Sequence, residues 1–125
     1  MKKLEAPTGA LISSNHPSLL LNPGIIQSAV DRIVAAVQPS KVILFGSYAR
    51  GDADEGSDID LLVVEAEVEN RGEEMVKLRL AVGWIGKGVD ILVCSEADYE
   101  KRGQVPGTAI FWALQEGKVL HDSRA

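Results

Sequence analysis

Apolar positions along this chain fall into two rhythms. From Ile25 onward, Ile26, Ala29, Val30, Ile33, Val34 and Val37 recur every three or four positions until Pro39. That is the spacing of one buried face of an α-helix, and proline ends it. KVILF (41–45) is short, rich in β-branched residues and bounded by Pro39 and Gly46, so it predicts a buried strand. DIDLLVV (58–64) and VDILVC (89–94) predict a second and a third strand. Between them, RGEEMVKLRLAV (71–82) carries Met75, Leu78 and Val82 on one stripe and closes at Gly83 and Gly86. Ser95 is placed to cap a short helical turn at EADYEK. TAIFWALQEG predicts a last helix ended by Gly117, and KVLH a small edge strand.

The resulting order is α-β-β-α-β-α-β, with no internal repeat and no low-complexity segment. It predicts an α/β (α+β) fold, a small mixed sheet with helices mainly on one face. Residues 1–23 show no sustained period and contain Pro7, Gly9, Pro17 and Pro23, so they are expected to form a loose arm, which Leu19-Leu20-Leu21 would tack onto the body or a partner. Residues 24–121 are the expected domain and 122–125 a tail. At 125 residues the chain supports one core and not two.

Composition narrows the function classes. The net charge is −5 and only 5% of residues are aromatic. A nucleic-acid binder needs a basic face, and a single-strand binder needs stacking platforms, so direct nucleic-acid binding is not expected. A nucleotide ligand is not excluded, because a bound metal reverses the local sign. The one cysteine, Cys94, lies in an apolar run and reads as a small core residue, with no disulfide framework. No apolar run reaches the length of a membrane span, so a cytoplasmic location is expected.

The acidic stretch GSYARGDADEGSDID (46–60) changes the picture. Asp52, Asp54, Glu55, Asp58 and Asp60 fall within nine positions, directly after an apolar run. Crowded like charges gain nothing unless a cation joins them. Side chains at i and i+2 of a strand share a face, so Asp58 and Asp60 point one way while Ile59, Leu61 and Val63 point the other. If the second and third strands are neighbours, Asp90 joins them on that face. A lone Asp among Val89, Ile91, Leu92 and Val93 is costly to bury without a partner. Three carboxylates suffice for two hard divalent ions such as Mg²⁺. Gly46 lets the backbone turn tightly beside a ligand. Ser47 then opens a helical turn whose N–H groups and hydroxyl can grip phosphate. Arg50 is placed either to neutralise phosphate charge or to pair with the acidic loop.

Gly-Ser, ten residues, Asp-x-Asp, and a further Asp on a later strand resemble the nucleotidyltransferase superfamily of DNA polymerase beta. GSYARG followed by SDIDLLVV resembles its minimal branch, the small nucleotidyltransferase (MNT) domains often paired with a helical HEPN-domain protein. At ~5–7% usage per residue type, the four fixed letters arise at one start site about once in 10⁵ by chance. The resemblance spans roughly residues 25–120. It implies that Gly46 and Ser47 hold the β/γ-phosphates, that Asp58 and Asp60 bind both catalytic Mg²⁺ ions, and that Asp90 is the third ligand and draws the acceptor hydroxyl toward its nucleophilic form. It implies that Ser57 orients Asp58, and that ATP is the substrate. The added substrate-binding domain of larger relatives is missing, so the acceptor is expected on another molecule. By resemblance that is a tyrosine of a HEPN toxin, with this chain as antitoxin.

Weaker signals remain. GWIGKG (83–88) lacks phosphate-loop spacing and reads as a helix-ending turn from which Lys87 can approach the site. His16 and His121 are isolated and read as surface residues, and Glu65, Glu67, Glu69, Glu73 and Glu74 as a solvated rim. Trp84 and Trp112 are packing residues or part of a partner interface, and a homo-oligomer is open. Two function classes follow: a metal-dependent nucleotidyltransferase, or a binding module that neutralises its partner by occlusion. Three mutually repelling acids kept together favour the enzyme.

Overall fold

A computed structural model of the chain describes residues 23–124; residues 1–22 of the expected N-terminal arm, His16 among them, lie outside the described residues, and Pro23, placed at the end of that arm, opens the first helix instead. Helix α1 (Pro23–Val37) is followed by strand β1 (Lys41–Phe45), a one-turn helix α2 (Ser47–Arg50) and β2 (Ile59–Glu65). Then come α3 (Arg71–Val82), β3 (Val89–Ser95), α4 (Glu96–Arg102), α5 (Ala109–Glu116) and β4 (Lys118–Asp122). The four described strands form one sheet in the order β3-β2-β1-β4. β2 and β3 are parallel, and both other pairs are antiparallel. The sheet is therefore mixed, as the pattern predicted.

Helix ends follow local chemistry. Asn70 caps α3 by accepting from Glu73 N at 3.0 Å, and Glu73 and Glu74 favour the positive end of the helix dipole. Ser95 accepts from Asp98 N and Thr108 from Phe111 N, starting α4 and α5. Gly83 ends α3, while Arg32 of α1 donates to the Val82 carbonyl and ties the two long helices together.

The sheet has an apolar layer on each side. On one, Val42, Leu44, Leu61, Val63, Ile91 and Val93 pack against Ala29, Val30 and Ile33 of α1 and Leu78 and Val82 of α3. On the other, Ile43, Leu62, Val64 and Cys94 pack beneath Ile110 and Ala113 of α5, with Phe45, Leu92 and Tyr99 half-buried beside them. The long helices share one face, and the short C-terminal helices cover part of the second. Cys94 is fully buried, and its thiol is pushed up to about 11, chiefly by that burial. His121 is a half-buried residue of β4 rather than a surface one.

One part of the expected acidic rim differs. Glu67, Glu69 and Glu73 are exposed, but Glu65 ends β2 with Oε2 buried and without a hydrogen-bond donor. Burial first, then the neighbouring Glu74 carboxylate, pushes the Glu65 carboxyl up to about 7. The folded chain thus holds a proton between about pH 4.5 and 7 that the unfolded chain releases. This contribution is present at acid pH and is lost as pH rises through 7. Glu65→Gln is expected to raise stability at pH 8 by about 1 kcal/mol, after discounting for solvent screening. It should also flatten the pH dependence of the urea midpoint between pH 5 and 8; an unchanged profile would contradict this assignment.

Candidate active site

β2 and β3 pair in parallel with Asp60 directly opposite Asp90. Asp60 also faces Phe45 across β1. Because facing residues of neighbouring strands share a side, Asp60 and Asp90 lie on the face that carries Leu62, Leu92 and Cys94. Asp58 stands two residues before Asp60, just ahead of the strand. Asp58 and Asp90 are exposed and Asp60 is half-buried. Burial, then the Asp90 and Asp58 carboxylates, push the Asp60 carboxyl above its ordinary range. The Asp58 and Asp90 carboxylates thus both act on Asp60 at one end of the sheet. They are not drawn into a nest: among the described residues, no group of three His, Cys, Asp or Glu side chains is close enough to hold a metal as it stands. Bare carboxylates repel, and two of the three are turned to water. The donor chemistry, oxygen only and negatively charged, is that preferred by hard divalent cations.

The turn at 46–47 lies against the same acids. Gly46 takes φ +75° and ψ −156°, and a Cβ on it would fall 2.2 Å from Asp60 Oδ2. Glycine is needed there for its conformation and for its lack of bulk. Gly88 plays a similar part for Asp58: a Cβ there would lie 2.3 Å from Asp58 Oδ1. α2 begins at Ser47 and ends at Gly51, whose N–H donates to Ser47 O. Tyr48 and Ala49 of α2 are buried, and Lys87 Nζ lies 5.7 Å over the Tyr48 ring while donating to Glu55 O. GWIGKG is thus a helix-ending turn whose lysine reaches the acidic loop.

The other acids of the loop have local work. Asp52 pairs with Arg50 Nε at 3.2 Å. Asp54 Oδ1 accepts from Gly56 N and from Ser57 Oγ, which itself accepts from Asp54 N. Ser57 therefore shapes the loop through Asp54, not Asp58, as a hydroxyl three residues along a turn readily does. Arg50 meets both acidic neighbours, since its Nη1 also bonds Glu116 Oε1 at 3.1 Å. That Glu116 oxygen accepts from Gly46 N at 3.3 Å as well. Glu116 ends α5, about seventy residues away in sequence, and no local pattern marked it.

The residues matched to the nucleotidyltransferase domain family run from 26 to 113, about two thirds of the chain and all three aspartates. The chain belongs to this family. A chain of Methanocaldococcus jannaschii named "Putative protein adenylyltransferase" is 38% identical over 87 residues, covering 65% of this chain and 77% of that one. A solved structure described as a "putative nucleotidyltransferase" from Sulfolobus solfataricus superposes with a TM-score of 0.62 at 18% identity, covering 90% of this chain and 94% of that one. A toxin–antitoxin structure with AMP-PNP aligns with a TM-score of 0.54 at 21% identity, over 78% of this chain and 73% of that one. Both structural likenesses are of fold. In this nucleotidyltransferase the acids and the Gly-Ser turn occupy the open end of the sheet, while the apolar residues farther along the same strands are sealed by α5.

Gly46→Ala is expected to cost about 1–3 kcal/mol in denaturant unfolding, through positive-φ strain plus the clash with Asp60. Gly51→Ala, with φ +88° and open space at its Cβ, should cost less. Equal losses would mean that the contact with Asp60 carries no weight. Tyr48→Phe removes a buried hydroxyl that has no hydrogen-bond partner. It should leave stability unchanged or raise it by about 1 kcal/mol.

Proposed function

We propose that this nucleotidyltransferase transfers AMP from ATP, with Mg²⁺, to a hydroxyl on a partner protein, the resemblance favouring a tyrosine of a HEPN-domain toxin. The observation that carries the reading is the pairing of Asp60 with Asp90 across parallel strands, with the Gly46-Ser47 turn packed on Asp60. The name of the Methanocaldococcus relative supports adenylyl transfer, and the toxin–antitoxin fold supports an antitoxin setting. Trp84 and Trp112, 78% and 52% exposed, are available to a partner protein. Among the described residues no helix is long and apolar enough to cross a membrane.

On this reading Asp58, Asp60 and Asp90 hold the divalent ions, which when bound neutralise charge on the triphosphate and line up attack and departure. The Gly46 N–H, the Ser47 hydroxyl and Arg50 meet the β/γ-phosphates. The acceptor oxygen attacks the α-phosphorus in line, so one O–P bond forms as the bond to the bridging oxygen of pyrophosphate breaks. Asp90, exposed on the edge strand β3, faces the acceptor and receives its hydroxyl proton. The phosphates lie toward β1, where the turn is. Positioning and charge supply most of the rate in such transfers.

Two measurements test this. Mg²⁺ with ATP should raise the melting temperature by linkage, and no shift at millimolar levels would count against the site. The protein incubated with labelled ATP, Mg²⁺ and the product of its genomic neighbour should add AMP mass to that partner. Asp58→Asn/Asp60→Asn should abolish this transfer, by a factor of at least about 10³. Partner inhibition that persists unchanged in the double variant would favour occlusion without catalysis.

A further inference from the structure

Glu116 stands where the proposed reading puts an anion. A single oxygen, Oε1, accepts from the Gly46 N–H at 3.3 Å and from Arg50 Nη1 at 3.1 Å. These are two of the donors that phosphate oxygens would use. The carboxylate is held there by the end of α5. Gly117 is wedged so closely that a Cβ on it would meet Ala113 O at 2.1 Å and Ile43 Cγ2 at 2.7 Å. The helix end therefore has little room to move relative to β1. The placement is electrostatically unfavourable toward the acids, because Glu116 is one of the charges acting on Asp60. Its side chain is only 24% exposed, and Glu116 lies beyond residues 26–113 matched to the family.

We infer that Glu116 is an affinity-setting residue, an internal carboxylate that occupies the phosphate turn in the nucleotide-free protein and that the triphosphate must displace. The inference rests on the nucleotidyltransferase reading of that turn. It explains why a fourth carboxylate is tolerated beside three others: without nucleotide, Gly46 N–H and one arm of Arg50 would otherwise face that region unpaired. Displacement leaves Arg50 to the phosphates, but the carboxylate nearby opposes their charge, so the resident anion lowers nucleotide affinity. A triphosphate or pyrophosphate group competes with Glu116. AMP, which does not reach the turn, does not.

Glu116→Gln tests this in the full chain. The amide keeps the size and an accepting oxygen, so the turn stays formed, but the charge is gone. Titration calorimetry with Mg²⁺-ATP should show binding tighter by about three- to tenfold, the effect of one partly screened charge near 4 Å. Inorganic tripolyphosphate with Mg²⁺ should tighten similarly, AMP should not change, and KM for ATP should fall with little change in kcat. Glu116→Ala gives a second reading in which affinity should also rise. Unchanged or weaker ATP binding in Glu116→Gln, with wild type binding normally, would overturn the role given to Glu116 and make it a brace for the turn. Failure of both proteins to bind Mg²⁺-ATP would remove the nucleotidyltransferase reading, and this inference with it.

Discussion

Everything at the open end of this molecule depends on keeping Asp60 beside Asp90 against their mutual repulsion. The force that does so is hydrophobic and lies farther along the same strands. Leu61 and Val63 are fully buried on one face, and Leu62 and Val64 are 1% exposed on the other. β2 is a central strand buried on both sides, so a slip of one residue would exchange the faces, turning Asp60 toward α1 and α3. The acids are tolerated because Asp58 and Asp90 remain in water, where like charges are well screened. The apolar ladder thus holds the carboxylates in place without having to bury them.

The C-terminal segment completes this arrangement in two ways. α5 lays Ile110 and Ala113 over Ile43, Leu62, Val64 and Cys94, sealing the lower half of the acidic face. Its last residue then reaches Gly46 and Arg50. One helix therefore insulates the floor of the candidate site and sets an anion against its Gly46-Ser47 turn.

The elements were legible because each carried a local signal: β-branched runs for β1 to β3, a stripe for α3, a cap residue for α4 and a closing glycine for α5. The pairing of Asp60 with Asp90 on one face was legible as well, since it needs only the two-residue period and adjacent strands. Contacts between residues distant in sequence were not. Nothing near Ser57 distinguishes a bond to Asp54 from one to Asp58, and only the turn geometry decides. Glu65 read as rim because its neighbours are acidic, whereas its burial depends on how α3 folds back across the end of β2. The cover that α5 gives Leu62 and Cys94 had no local mark either, because it is a tertiary contact between apolar residues distant in sequence. Glu116 had no signal at all.

The charge inventory around the turn has a consequence for how a nucleotide would enter. Arg50 is already engaged by Asp52 and Glu116, and Lys87 by the Glu55 carbonyl. Against these two cations stand Asp58, Asp60, Asp90, Asp52 and Glu116, so the site as folded is negative. A bare triphosphate approaching it would be repelled at short range, and the protein's own basic groups are too committed to reverse that sign. On the proposed reading, the triphosphate therefore has to arrive with compensating divalent charge. This is the opposite of a basic phosphate pocket, in which arginines and lysines bind the anion first. On that reading the acidic character of GSYARGDADEGSDID would be a condition of selectivity, since the same carboxylates that would accept a metal-bound nucleotide would repel a polyanion that brings no bound cation.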